Sequence, residues 1–399
     1  MDQNIEEFDL VIIGGSIAGN YLTYLLSKSN LKIAVIEEHN QIGLPFQCAG
    51  IVSQKLGQLI NLPEEIVLNR VNVAKIVAPS RKFIKLSGNE QPLIIDRIAL
   101  DQLFYEKIRN NDNITYFLGE KFKLLKYFIE NQQKLIFVET NKRVLKARIL
   151  VGCDGPLSLV ASSFGIRNKL LYGTQIRIKG NFDQKEAVMF FDPRWKELFG
   201  WIVSEGSNNI YRIGLSSAKN ININFKIFLN MLPIISDEKI DQQGGLIPYG
   251  IMNKLAFDNA LLLGDSACQV KATTGGGIVM LLIAAKYACY CIQNCFKSNK
   301  FSKRFIKKYY EKPCRASIGK QLITHYLIRQ LFENFSNKDY ENLFQIVKTN
   351  KIEKLISLYG DMDFPRSLLI KLLKNSKIIK FLIRLLIKKP FLVLKLIKL

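Results

Sequence analysis

The chain has 399 residues, 48% apolar and 23% charged, enough for two domains and a large core. Lys and Arg outnumber Asp and Glu by 57 to 34, a net charge of +23, which favours acidic partners such as an anionic membrane or an acidic protein; no nucleic-acid motif accompanies it, so no nucleic-acid partner is expected. Seven cysteines without a C-x-x-C pair and two histidines argue against a zinc site, and no metal is expected.

The acidic start, MDQNIEEFDL, is unlike a signal peptide. With reduced thiols it points to the cytoplasm, and no apolar run is expected to reach the length of a membrane span. FDLVIIGGSIAGNYLTYLLSKSNLKIAVIEEHN then reads as strand, tight turn, helix, strand. Gly14 permits the turn, and Gly19 lets the helix pack close to the strand. The helix start, with Ala18 in its first turn, offers free N–H groups to a pyrophosphate. Ser16 stands where a middle glycine is usual. Glu37 closes the second strand ~20 residues after Gly14, in reach of a ribose hydroxyl.

QIGLPFQCAGIVS, 41–53, places a lone cysteine, Cys48, and then Ala49 between a proline-containing loop and a small-residue turn. Arg97 follows Asp96 at the start of a helix in DRIALDQL. ILVGCDGPLSLVASSFGI gives a strand ending at Cys153, then Asp154-Gly155. From about Arg167 to Asp258 the character changes. YGTQIRIKG, AVMFFD, LFGWIVS and IYRIGLS read as strands of a mixed or antiparallel sheet, and INFKIFLNML as a helix. Such a sheet can floor an apolar tunnel; Phe199, Trp201, Tyr211 and Tyr249 are its candidate lining residues.

NALLLGDSACQVKATTGGGIVMLLIAAKYA reads as a strand, Gly264-Asp265, then Gly275, Gly276 and Gly277 leading into a helix from Ile278. The first fingerprint alone does not separate NAD from FAD. Asp265 does, as an acceptor for ribityl hydroxyls. The glycines let backbone lie flat against a ring, with the positive end of the helix towards it. Further on, helices are expected to break near Pro313, with His325 in a structural role. After Asp363 no acidic residue occurs. Lys371, Lys374, Lys377, Lys380, Arg384 and Lys388 recur every three or four residues as a basic stripe, with Pro390 interrupting the pattern. Such a helix either lies on an anionic membrane or packs on the body with its lysines in water.

The fold class is α/β (α+β overall), a Rossmann-like nucleotide domain with a mixed or antiparallel-sheet substrate domain and a helical C-terminus. Residues 1–166 form the first part of the nucleotide domain and 167–258 the substrate sheet. Residues 259–332 form the second part with its closing helices, and 333–399 a basic amphipathic region.

GGSIAG, PFQCAGIVS, DRIALDQL, GCDGPLS and LLLGDSACQVKATTGGGI together resemble the geranylgeranyl reductase family of flavoproteins, from about Phe8 to Phe332. Flavin hydroxylases of this fold carry His after the Gly-Asp turn and Arg after the Asp-Gly motif; those neighbourhoods here hold Cys268 and Ala161. The resemblance implies a para-hydroxybenzoate-hydroxylase-like fold, bound FAD, and saturation of isoprenoid C=C bonds, in archaea on geranylgeranylated glycerophospholipid precursors. With the fingerprint residues Gly14, Ser16, Gly19 and Gly276, it implies FAD contacts at Ala18, Glu37, Cys48, Ala49, Arg97, Asp265, Gly277 and Ile278. An isolated alkene is a poor hydride acceptor. Protonation makes a tertiary cation that hydride from flavin N5 quenches, so an acid is needed near the ring. Cys48 is the candidate. Where the family often shows Phe-Pro after its tryptophan, this chain has Val203-Ser204. The rival readings are an FAD monooxygenase acting on an aromatic or polyprenyl quinone, and a lipid-binding protein holding FAD as a plug. The expected partners are a prenylated lipid, NAD(P)H or a ferredoxin as electron donor, and the inner face of the cell membrane.

Overall fold

In the computed structural model the described residues are 5–88, 90–233, 238–388 and 390. The chain begins with β1 (Glu6–Ile13), whose Leu10–Ile13 run is buried on both sides, as expected of a parallel strand covered by helices. It turns at Gly14, φ +104°, into α1 (Ile17–Leu26) and returns as β2 (Ile33–Glu37). β1 pairs in parallel with β2 and with Val144–Gly152; Ala260–Leu262 and Ile114–Leu118 extend the sheet on either side. α2 (Arg97–Ile108) is capped by Asp96, whose carboxylate accepts from the Ile98 and Ala99 amides. α1, α2 and the long α3 (Ile278–Ser298) bury one continuous apolar core against this sheet. By length and composition α3, at 21 residues, is apolar enough to cross a bilayer, which corrects the expectation that no run is long enough. Its Met280, Leu282, Ala284, Ala288, Cys291 and Cys295 are instead buried in the protein core.

A second, seven-stranded sheet lies beyond. Its order is Lys239–Tyr249, Lys169–Lys179, Ile210–Ser217, Gly200–Ser204, Glu186–Phe190, Val73–Val77 and Phe83–Leu86. Only the pair Glu186–Phe190 and Val73–Val77 is parallel. Two strands thus come from residues 73–86. The strand Lys239–Tyr249 carries Gly244, Gly245 and Pro248 and has no strand-like pattern; pairing along Lys169–Lys179 forms it. One face packs Ile202, Tyr211, Ile213 and Leu215 on Phe225, Phe228 and Trp195. The other groups Trp201, Val203, Leu171 and Phe199.

The expected break at Pro313 is absent. Residues 303–332 run as one helical rod, and two widened turns at 307–311 and 315–319 flank the proline. Widened turns of this kind absorb a missing N–H without ending a helix. α4 (Asn337–Thr349) starts with a Ser336–Asp339 capping box. α5 (Ile352–Tyr359), α6 (Arg366–Leu372) and α7 (Ser376–Lys388) follow. Ile378, Phe381, Leu382 and Leu385 of α7 pack against Phe335, Phe344, Ala78 and Ile84. The Lys388 side chain and residues 389 and 391–399 lie outside the described residues.

Candidate active site

At the nucleotide end the cradle is backbone. A Cβ at Gly19 would collide with the Gly14 carbonyl oxygen, and one at Gly14 with the Cys153 carbonyl, so the turn closes only with glycine. Ser16, at the N-cap of α1, is exposed and its side chain makes no capping bond. Ala18 is buried and close to the Gly264 backbone, joining the first turn to the third. Glu37 Oε2 accepts from the Gly15 amide at 2.7 Å, and its Oε1 from the His39 amide at 2.9 Å. The buried Asn20 amide donates to Gly15 O at 2.7 Å and Asp101 O at 3.0 Å, tying the turn to α2. Asp154 serves locally, accepting from Ser158 Oγ at 2.5 Å and the Val160 amide at 3.0 Å.

Deeper in, two groups lack partners. Among the described residues nothing donates a hydrogen bond to the Asp265 carboxylate; burial pushes its pKa up to about 6, against a smaller downward pull from Arg97. Gly277, one residue before α3, lies against its Oδ1: a Cβ there would be 3.5 Å away. Arg97 grips Asp101 with two bonds of 3.0 Å, while its buried Nε finds no partner among the described residues. Burial opposes the charge on Arg97, and Asp101 and the Cys48 sulfur beside it outweigh that and raise its pKa. A carboxylate awaiting a donor, a guanidinium N–H awaiting an acceptor and a glycine cradle suit a nucleotide with hydroxyls, phosphates and a flat ring.

Cys48 sits half-buried where this region meets a cavity, and its Sγ accepts from the Gly50 amide at 3.3 Å. Two residues that sequence reasoning missed hold the loop. Gln175 Nε2 reaches Cys48 O at 3.4 Å. Arg212, only 2% exposed, donates to Ala49 O at 2.9 Å and Ile95 O at 3.3 Å and pairs with Glu205 at 2.6 Å. A Cβ on Gly50 would strike that guanidinium. The only trace of Arg212 in the sequence is a cation set among apolar residues in IYRIGLS. Gly276 O accepts from the Lys271 amide at 3.1 Å. Buried Arg329 clamps the same turn through Thr273 O at 2.6 Å and Ala272 O at 3.1 Å; burial draws its pKa down to about 10.

The cavity, of about 510 Å³, runs from Cys48, Ala49 and Gly276 past Phe199 and Trp201 to Ile356 and Leu368. Trp201 Nε1 donates to Gln175 Oε1 at 2.9 Å. Tyr211 is a correction: strand alternation turns it to the opposite face, where its ring is buried against Phe182 and its hydroxyl donates to Phe182 O at 2.5 Å. Tyr249 is a second. At the end of its strand it leaves the cavity lining, its hydroxyl bonded to Glu333 and its ring on Tyr326. Lys271 pairs with buried Asp363 at 2.6 Å, and Lys55 with Asp361 at 2.9 Å. His325 lies between Thr273 Oγ1 at 2.5 Å and Asp363 O at 3.1 Å. Burial, helped by Lys271, holds its pKa down at about 4, which favours the neutral ring.

Residues 12–51 match the family model described as an NAD(P)-binding Rossmann-like domain. The chain is 28% identical to an uncharacterised protein of Methanocaldococcus jannaschii over 94% of its own length and 97% of that protein. It is 24% identical to digeranylgeranylglycerophospholipid reductase 1 of Methanococcoides burtonii, over 88% and 90%. Its fold superposes on a geranylgeranyl bacteriochlorophyll reductase-like crystal structure from Thermoplasma acidophilum with a TM-score of 0.80 at 18% identity, covering 96% of this chain and all of the other. Over most of its length, then, the chain is similar to proteins named digeranylgeranylglycerophospholipid reductase, and it has the fold of a geranylgeranyl reductase-like protein.

Proposed function

We propose that the protein is an FAD-dependent reductase that saturates isoprenoid C=C bonds in geranylgeranylated glycerophospholipid precursors. The observation that carries this reading is the place of Cys48: its sulfur lies beside Arg97, and with Gly276 it lines a mainly apolar cavity. Gly14, Ser16, Ala18 and Gly19 would hold the pyrophosphate and Glu37 the adenosine ribose. Asp265 and Arg97 would take up their missing partners from the ribityl and phosphate groups. Cys48, Ala49, Gly276, Gly277 and Ile278 would flank the ring. When bound and reduced, the flavin supplies the hydride.

The chain's own residues supply the rest. The cavity wall takes the prenyl chain, whose burial contributes roughly 0.8 kcal/mol per methylene. Phe199 and Trp201 border its path. The Cys48 thiol gives its proton to the alkene carbon. The Gly50 N–H and the Arg97 guanidinium beside the sulfur then balance the negative charge left there. Arg212 and Gln175 keep the Cys48 loop in register with the cavity. Electrons come from NAD(P)H or an acidic ferredoxin drawn to the net charge of +23. The lipid substrate places the work at the inner face of the cell membrane. Ala161 and Cys268, in the neighbourhoods where the hydroxylases of this fold carry Arg and His, are buried.

The test is mass spectrometry of a digeranylgeranylglycerophospholipid incubated with the dithionite-reduced, flavin-loaded protein. The expected product has gained two hydrogens per saturated bond. Lipid recovered unchanged would overturn the proposal.

A further inference from the structure

We infer that the outer face of α5, α6 and α7 seats on an anionic lipid bilayer, and that the prenyl chain reaches the cavity through this roof. The inference rests on the prenyl-lipid reading and adds the surface by which substrate arrives.

The roof has two sides. On the inside, Ile356 and Ser357 of α5 and Leu368 of α6 line the cavity, with Gly360 and Met362 between them. On the outside, Leu358 is 57% and Ile370 49% exposed. The Lys371 ammonium lies 3.8 Å over the Tyr359 ring, so the outer sides of α5 and α6 meet. Lys55–Asp361 and Lys271–Asp363 pin the connecting segment to the body from within.

α7, next in the chain, carries the same pattern on its outer side. Its inner side is filled by Ile378, Phe381, Leu382 and Leu385. At ~100° per residue the opposite side carries Ile379 and Ile383, one turn apart, flanked by Lys377, Lys380 and Arg384. All five are exposed, Ile383 by 50%. Scattered exposed apolar residues are ordinary. Here they recur on three consecutive helices beside cations, and no acidic residue follows Asp363, so α6 and α7 carry none. Isoleucines have no use for a phosphate backbone in water. Beside lysines they match a bilayer interface, where cations meet lipid headgroups and apolar tips enter the acyl boundary. A chain leaving that boundary meets α5 and α6 first, and their inner sides already line the cavity.

The test compares the full chain with two variants of exposed residues, Ile379→Asp/Ile383→Asp and Lys377→Glu/Lys380→Glu/Arg384→Glu. Each is sedimented with phosphatidylglycerol or phosphatidylcholine vesicles, and each is assayed on substrate held in anionic vesicles and on substrate in neutral detergent micelles. The full chain is expected to sediment with anionic vesicles alone. Both variants should lose about tenfold or more in sedimentation and in turnover of vesicle-held substrate, while detergent turnover stays within about twofold. Wild-type sedimentation by either variant overturns the inference. Loss in the charge variant alone also does so, because it marks a surface for an acidic protein rather than for lipid. If the full chain fails on detergent-held substrate, the reductase reading falls, and the sedimentation results still decide the surface on their own.

Discussion

At the nucleotide end, positions are fixed by backbone meeting backbone. Gly19 lies against the Gly14 carbonyl and Gly14 against the Cys153 carbonyl, with no room for a methyl group. At the cavity end the same task falls to buried side-chain ions: Arg212 on Glu205 and Ala49 O, Arg329 on the 272–273 carbonyls, Lys271 on Asp363. A backbone cradle presents the same N–H groups whatever the ligand's tail, and it tolerates no change. A side-chain frame can be altered one partner at a time. The difference fits a site with an invariant cofactor on one side and a lipid on the other.

The comparison breaks most sharply at Gly19. Gly19→Ala should destabilise the fold by roughly 3 kcal/mol or more and abolish bound flavin, through the forced collision with Gly14; thermal unfolding and flavin absorbance measure both. Retained flavin would show that the turn has slack. In the cavity half, Lys271→Ala leaves the buried Asp363 carboxylate without its cation, with the Ser53 hydroxyl still donating to it, at a cost of about 3–5 kcal/mol. The double variant Lys271→Met/Asp363→Leu should recover most of that in denaturant unfolding, a rescue unavailable to any glycine of the cradle.

At the junction, Cys48→Ala should keep the flavin and lower turnover about a hundredfold, whereas Gln175→Leu should lower it less by loosening the loop. Turnover equal to wild type would remove Cys48 from the chemistry. The smallest effect is a pH dependence. With its pKa raised to about 6 by burial, Asp265 favours the folded state while protonated in both states. That advantage drains away as pH rises from the ordinary value of 3.8 to about 6. The flavin-free protein should therefore lose stability over that window relative to Asp265→Asn. Flavin binding should release protons there, because hydroxyls donating to the carboxylate lower its pKa; calorimetry in two buffers would detect it.

The same division explains what could be read from the chain. Gly14, Gly19, Gly277 and Glu37 are legible because a tight turn and a helix start leave a local pattern. Arg212, Gln175, Arg329 and the Lys271–Asp363 pair are not, because their partners stand far away in sequence. Tyr211 misleads because a one-residue change of parity in a strand swaps faces. α3 reaches the length and composition of a membrane span against the expectation that no run does, as a helix buried on most sides can.

The reductase reading is tested by the absorbance of the reduced, flavin-loaded protein when digeranylgeranyl lipid is added without oxygen. Oxidised flavin should return in step with the double bonds saturated, and slowly in Cys48→Ala. Flavin that stays reduced until air is admitted would contradict it.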